Sequence, residues 1–291
     1  MKKAVKCAAV LSACILAQHL ANQTYFNYKS RNLKKRSEKR LNEYFYKWRF
    51  GRIRYKIIGK GEPLLLIHGI YPGADMAEWN PIDSEILKSY KVYAIELLGF
   101  GRSEKPNLSY SAYLYIRLIN DFIRDVIKKP VITAASDYAA AYTVMGCIFN
   151  PELYKKLLLI SPSGLTKGCG MPSLKDFILR VLLETPVVST SLYLLLIGKF
   201  TGGNIFLKLW RERSIASSIP PVISPSAYYG GSNAKFPIAA LFSKYLNVEI
   251  IDKLNRISIP MLILSDKYTG LRNASSLPGV NDFLNLKRNT R

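Results

Sequence analysis

The stretch Val131-Ile132-Thr133-Ala134-Ala135-Ser136-Asp137-Tyr138-Ala139 decides how this chain folds. Its first residues are apolar or β-branched, as in a buried strand, and beyond Asp137 the sequence stays apolar until Asn150-Pro151, where a proline stops helix propagation. Strand, turn and helix therefore follow one another, with the turn near Ser136-Asp137. Other apolar runs lead into turn residues in the same way. Residues 63–67 run into His68-Gly69, and 92–97 into Leu98-Gly99-Phe100-Gly101-Arg102-Ser103. Strand-like segments at 53–58, 157–160 and 261–264 alternate with helical patterns. One of these, over 109–128, repeats apolar residues at Tyr113, Ile116, Ile119, Ile123 and Ile127, with Ser109 as the expected N-cap. That alternation predicts an α/β class with a mostly parallel twisted sheet flanked by helices.

Composition agrees. A chain of 291 residues that is 49% apolar can build a core, which excludes a disordered polyelectrolyte. Cys7, Cys14, Cys147 and Cys169 show neither CxxC spacing nor a dense framework, so a disulfide scaffold or zinc site is not expected. The net charge of +22 is concentrated at one end: residues 1–60 hold 16 Lys/Arg and 2 acids, which leaves +8 for the remaining 231. No nucleic-acid-binding motif accompanies this charge, and no specific nucleic acid is expected as a partner. The aromatics Tyr44, Phe45, Tyr46 and Trp48 read as the entry into the first strand.

Residues 1–24 carry an apolar stretch interrupted by Gln18 and His19, and residues 25–44 form a basic linker. About 15 apolar residues fall short of the ~20 of a full span, which reads as a weak transmembrane helix or an interfacial anchor. More positive charge follows the stretch than precedes it, so the globular part is expected on the cytoplasmic side of a membrane surface. Two other readings stand open: a lipobox at Leu11-Ser12-Ala13-Cys14, and a cleaved signal peptide.

The order of these motifs over about residues 46–268 resembles the α/β-hydrolase fold superfamily, where an elbow of pattern small-x-nucleophile-x-small presents the nucleophile at the top of the sheet. Glu96-Leu97-Leu98-Gly99-Phe100-Gly101-Arg102-Ser103 resembles the family's D-x-x-G-x-G-x-S turn, with Glu for Asp. The resemblance implies a core at 45–164 and 250–291 and a helical cap inserted at 165–249. It also implies a cofactor-free, metal-free hydrolase acting on a small apolar ester, halide or epoxide. Asp137 takes the nucleophile's place, as in the superfamily's haloalkane dehalogenases and epoxide hydrolases, where a carboxylate forms an ester intermediate. Ser136, one residue earlier, is the alternative nucleophile.

By the same resemblance the backbone N–H groups of Tyr138 and Ile70 are the oxyanion donors, Gly69 and Gly73 let their loop turn, and Arg102 and Ser103 are structural. The acid and the histidine of the triad do not appear in their places. Ser265-Asp266-Lys267-Tyr268 resembles the acid turn with Tyr268 at the acid's position and Asp266 two residues early. The only histidines are His19 and His68, the second resembling the family's oxyanion-loop histidine, and the chain stops at Arg291. A non-catalytic protein that binds a ligand or partner, and a truncated gene product, are therefore carried as alternatives.

Overall fold

In the computed structural model of the protein, the described residues are 43–80, 84–167, 172–185, 189 and 232–264, with scattered positions between 6 and 28. Among them seven strands form one sheet in the order β1-β2-β4-β3-β5-β6-β7. The strands are β1 (Glu43–Trp48), β2 (Gly51–Ile58), β3 (Glu62–Ile67), β4 (Tyr90–Ile95), β5 (Val131–Ser136), β6 (Tyr154–Ile160) and β7 (Met261–Leu264). β1, β2 and β4 pair antiparallel, and β4-β3-β5-β6-β7 are parallel throughout. Every residue of β5 is buried, which explains why it reads as an unbroken apolar and small-residue run rather than an alternating one.

The helices are α1 (Ser84–Ser89), α2 (Ala112–Phe122), α3 (Asp137–Phe149), α4 (Leu174–Glu184) and α5 (Lys235–Phe242). The N-cap of α2 is Ser111, whose hydroxyl accepts from the Leu114 N–H at 3.3 Å, and not Ser109. Both serines precede the same apolar repeat, and the helix begins at Ala112, directly after Ser111, whose extended backbone turns its oxygen back onto it. Beyond Phe122 the helix loosens into a π turn over Ile123–Ile127, ended by Lys128 at φ 61°.

α3 carries the elbow. Its Ala139, Ala140 and Ala141 are buried and let it lie close on the sheet. A methyl group on Gly146 would sit 2.5 Å from the Tyr154 hydroxyl, so glycine is needed there. Tyr142 of α3 stacks on Tyr115 of α2 at 5.6 Å, and its hydroxyl donates to the Leu246 carbonyl at 2.7 Å. These contacts fix the helix axis, and with it the position of Asp137 at the end of β5.

Arg102 and Ser103 fill the structural places expected of them. The Ser103 hydroxyl donates to the Glu96 carbonyl (2.6 Å) and accepts the Arg54 N–H (2.8 Å), while the Arg102 guanidinium pairs with Glu43 at 3.0 Å. A methyl group on Gly101, at φ 49°, would lie 2.3 Å from the Glu96 side chain, which is why this turn needs glycine.

Within the span expected as a cap, α4 begins with a capping box between Ser173 and Asp176, and Arg180 lies over the Tyr245 ring at 4.0 Å. Most of that span between 186 and 231 lies outside the described residues, as do Asp266, Tyr268 and the segment to Arg291. The described positions of the N-terminal stretch are helical, and Val10, Leu16 and Leu20 are exposed. Among the described residues no helix is long and apolar enough to cross a membrane, against the expectation of a transmembrane helix. Gln18 and His19 break the apolar run before it reaches the necessary length.

Candidate active site

Asp137 sits where β5 hands over to α3, at φ 52°. An L-residue other than glycine seldom adopts that left-handed backbone, and such strain collects at functional sites because the surrounding packing must hold it. The Asp137 carbonyl accepts the Ser163 N–H at 3.1 Å, and its Oδ1 accepts the Ser163 hydroxyl at 2.6 Å. Ser163 follows β6, the neighbour of β5, so adjacent strand ends bring the two residues together.

The Asp137 carboxyl is buried and its Oδ2 has no partner of hydrogen-bonding geometry. Burial pushes its pKa up from the ordinary 3.8 to about 7, and the charge of Glu78 acts in the same direction. Ser163 and the backbone N–H groups of Tyr138 and Ile70 oppose the shift by favouring the ionised form, without reversing it. These are the two N–H groups that the resemblance names as oxyanion donors.

Ser136 does not face that place in the same way. Its hydroxyl donates to Oε1 of Glu78. Oε2 of Glu78 accepts the Gly69 N–H (2.9 Å) and the Tyr71 hydroxyl (3.0 Å), so one carboxylate ties the loop after β3 to the end of β5. Burial, then the charge of Glu78, push the Tyr71 phenol well above its ordinary range. Gly69 is a close-approach position, since a methyl group there would lie 3.1 Å from the Tyr71 ring and 3.2 Å from the Ser136 hydroxyl. Gly73 turns the same loop at φ 85°.

His68 is fully buried and both ring nitrogens are committed. Nε2 accepts the Leu97 N–H at 3.0 Å, and Nδ1 lies 2.6 Å from the Gly69 carbonyl, so the ring hydrogen belongs on Nδ1. The ring also packs edge-on against Phe100 at 5.7 Å. This histidine bridges two strand ends and holds their loops; it offers no lone pair to a substrate or water.

Sequence reading missed Glu78, Tyr71 and Ser163. For Ser163 a signal existed: Ser161-Pro162-Ser163-Gly164 directly follows a parallel strand, and ligands of such sheets lie beyond the carboxyl ends of the strands. Glu78 gave none. It lies on a 3-10 turn (Met76–Trp79) capped by Asp75, and nothing in the spacing announces that the turn brings it to the end of β5.

The alpha/beta hydrolase family profile matches residues 64–264. A 2-hydroxy-6-oxo-6-(2'-aminophenyl)hexa-2,4-dienoic acid hydrolase of Metapseudomonas resinovorans is 30% identical over 139 residues, which are 47% of this chain and 48% of that protein. A haloalkane dehalogenase of Agrobacterium fabrum is 23% identical over 104 residues, 36% of this chain and 34% of its own. These matches span half or less of the length of the relatives. A solved serine hydrolase involved in carbazole degradation superposes with a TM-score of 0.59 at 19% identity, covering 85% of this chain and 97% of that one. With the family profile extending from β3 through the elbow to β7, the chain belongs to the alpha/beta hydrolase family.

Proposed function

We propose that this protein uses Asp137 as a carboxylate nucleophile toward a small apolar substrate bearing an electrophilic saturated carbon, an alkyl halide or an epoxide. The observation that carries the reading is the position of Asp137 at the strained elbow, with the N–H groups of Tyr138 and Ile70 acting on its carboxyl. One carboxylate oxygen attacks carbon and displaces halide, or opens the epoxide ring to an alkoxide that takes a proton from water. The other becomes the carbonyl oxygen of the resulting ester, beside the two N–H donors. An ester substrate would call for Ser136 instead, whose hydroxyl is held by Glu78. The relative named as a haloalkane dehalogenase supports the carboxylate reading; the one named as a dienoic acid hydrolase supports only hydrolase chemistry in general.

Attack needs the ionised acid. With a pKa of about 7, the ionised fraction falls roughly a hundredfold between pH 9 and pH 5. Rapid-quench intact-mass measurements with 1-bromohexane and 1,2-epoxyhexane should therefore show an adduct on the Asp137 peptide whose rate of formation rises with a midpoint near pH 7. Asp137→Asn should form none. An adduct that survives in Asp137→Asn but is lost in Ser136→Ala would move the nucleophile to serine. Tight binding with no adduct on any variant would favour the non-catalytic alternative.

The proposal includes an anionic membrane surface as the partner of the N-terminal arm and α4 with α5 as part of a cap over the site. Support for the first comes from the exposed Val10, Leu16 and Leu20 on helical backbone and from the basic residues between Lys29 and Arg40. The intact protein should sediment with vesicles containing phosphatidylglycerol, and deletion of residues 1–24 should weaken this. Recovery of all the intact protein in the supernatant would exclude the anchor.

A further inference from the structure

We propose that Glu78 is the general base that releases the product, accepting the proton of the water that hydrolyses the Asp137 ester. The inference rests on the carboxylate-nucleophile reading and extends it to the second half of the reaction. That half needs a proton acceptor, because water is too weak a nucleophile toward an ester without one. The histidine beside the site, His68, has both nitrogens occupied by Leu97 and Gly69.

Glu78 has the position and the spare capacity for the task. Oε2 is anchored by the Gly69 N–H and the Tyr71 hydroxyl, which fixes the side chain. Oε1 accepts only the Ser136 hydroxyl among these donors, and a carboxylate oxygen can accept two hydrogen bonds. Glu78 is half-buried, so water has access to it, whereas Asp137 is buried with an unpartnered Oδ2. Ser136 bonds to Glu78 and is the chain neighbour of Asp137, which places the two carboxyl groups at one strand end. Their mutual charge effect is felt at Asp137, where Glu78 adds to the upward shift. Tyr71, near Asp75 as well as the pair, and Tyr142, near Tyr138 and Asp137, are both held protonated by burial.

The step balances without any other reactant. The water oxygen bonds to Cγ of the Asp137 ester while one of its protons passes to Glu78. The carbonyl electron pair moves onto oxygen, beside the Tyr138 and Ile70 N–H groups. Collapse re-forms the carbonyl, breaks the bond between Cγ and the alkoxy oxygen, and returns the proton from Glu78 to the departing alkoxide. The products are an alcohol and the regenerated Asp137 carboxyl group. The oxygen in the alcohol comes from Asp137, and the new oxygen of Asp137 comes from water.

The test uses the full chain, with 1-bromohexane as probe, following bromide release and protein mass together. The wild type should release several equivalents of bromide. A single turnover in ¹⁸O-water should place the label in Asp137. Glu78→Gln should release one equivalent in a burst and then hold the hexyl adduct, with product release slowed by about a hundredfold or more, the range of general-base catalysis. In Glu78→Ala, sodium formate should restore release while sodium chloride should not, a response that a merely structural carboxylate would not give. Release from Glu78→Gln at the wild-type rate, a wild type that holds its adduct without release, or a Glu78→Ala adduct indifferent to formate would each overturn the role of Glu78. Absence of any adduct and any bromide from all three proteins would instead remove the nucleophile reading on which it stands.

Discussion

Asp137→Asn is expected to stabilise the protein at high pH while abolishing adduct formation. Folding raises the Asp137 pKa from 3.8 to about 7, so the native state holds this proton more tightly than the unfolded chain. The advantage of the neutral acid is complete below about pH 4 and is lost as the pH rises through 7. Above pH 8 the native state carries a buried, incompletely solvated carboxylate, at a cost of roughly 4 kcal/mol. Asparagine has the same shape, tolerates the left-handed backbone at φ 52°, and keeps an oxygen for the Ser163 hydroxyl. It lacks the charge and carries an NH2 donor in place of one acceptor oxygen, a change that is the same at both pH values and so leaves the pH dependence to the charge. Urea unfolding of both proteins at pH 4.5 and 8.5 should show the variant gaining about 3 kcal/mol relative to wild type between the two pH values. A pH-independent difference would mean that Asp137 is solvated in the native state, and would remove the pH dependence predicted for its attack. The expected trade is the usual one at a reactive site, where the group needed for chemistry is one the fold would be more stable without.

Arg54→Met is expected to cost about 3–5 kcal/mol, the range for removing one partner of a buried ion pair. Arg54 on β2 is 3% exposed and its guanidinium meets Glu96 at 2.6 Å and Glu43 through both Nε and Nη2. Burial alone would lower its pKa, but Glu96 and Glu43 outweigh that and push it up. Glu96 is completely buried, and its second oxygen accepts the Arg102 N–H at 2.6 Å. Without Arg54 a buried carboxylate loses its only close cation among these contacts. Glu96→Gln should be milder, about 1–2 kcal/mol, because Arg54 keeps Glu43 and the amide oxygen can still accept from Arg102. Equilibrium denaturation decides between the two. Equal losses in both variants would show that the turn responds to side-chain packing rather than to the unpaired charge. The longer Glu in place of the family's Asp is what reaches Arg54 from the end of β4, so this departure from the expected motif is matched by a specific partner.

What the sequence carried was order and register. Local physics specifies both: a parallel strand buried on both faces must be apolar, as residues 131–136 are, and proline at 151 must end the helix that starts at 137. Counting between those two points against the elbow pattern of the family that the motifs resemble puts Asp137 at the turn. The N–H groups of Tyr138 and Ile70 are named by the same resemblance, because backbone donors tolerate a change of side chain. Where two serines preceded one apolar repeat, the sequence could not choose, and backbone geometry selected Ser111 over Ser109. The convergence of Glu78 on Ser136, 58 residues apart, arises because the 3-10 turn brings Glu78 to the end of β5, and neither residue's neighbours encode that approach. Ser163 reaches Asp137 across 26 residues only because β6 pairs with β5 in register. The same holds for the acidity of Asp137: the sequence supplies a carboxyl group, but the depth at which packing buries it sets its pKa, because desolvation depends on all the atoms that replace water around it.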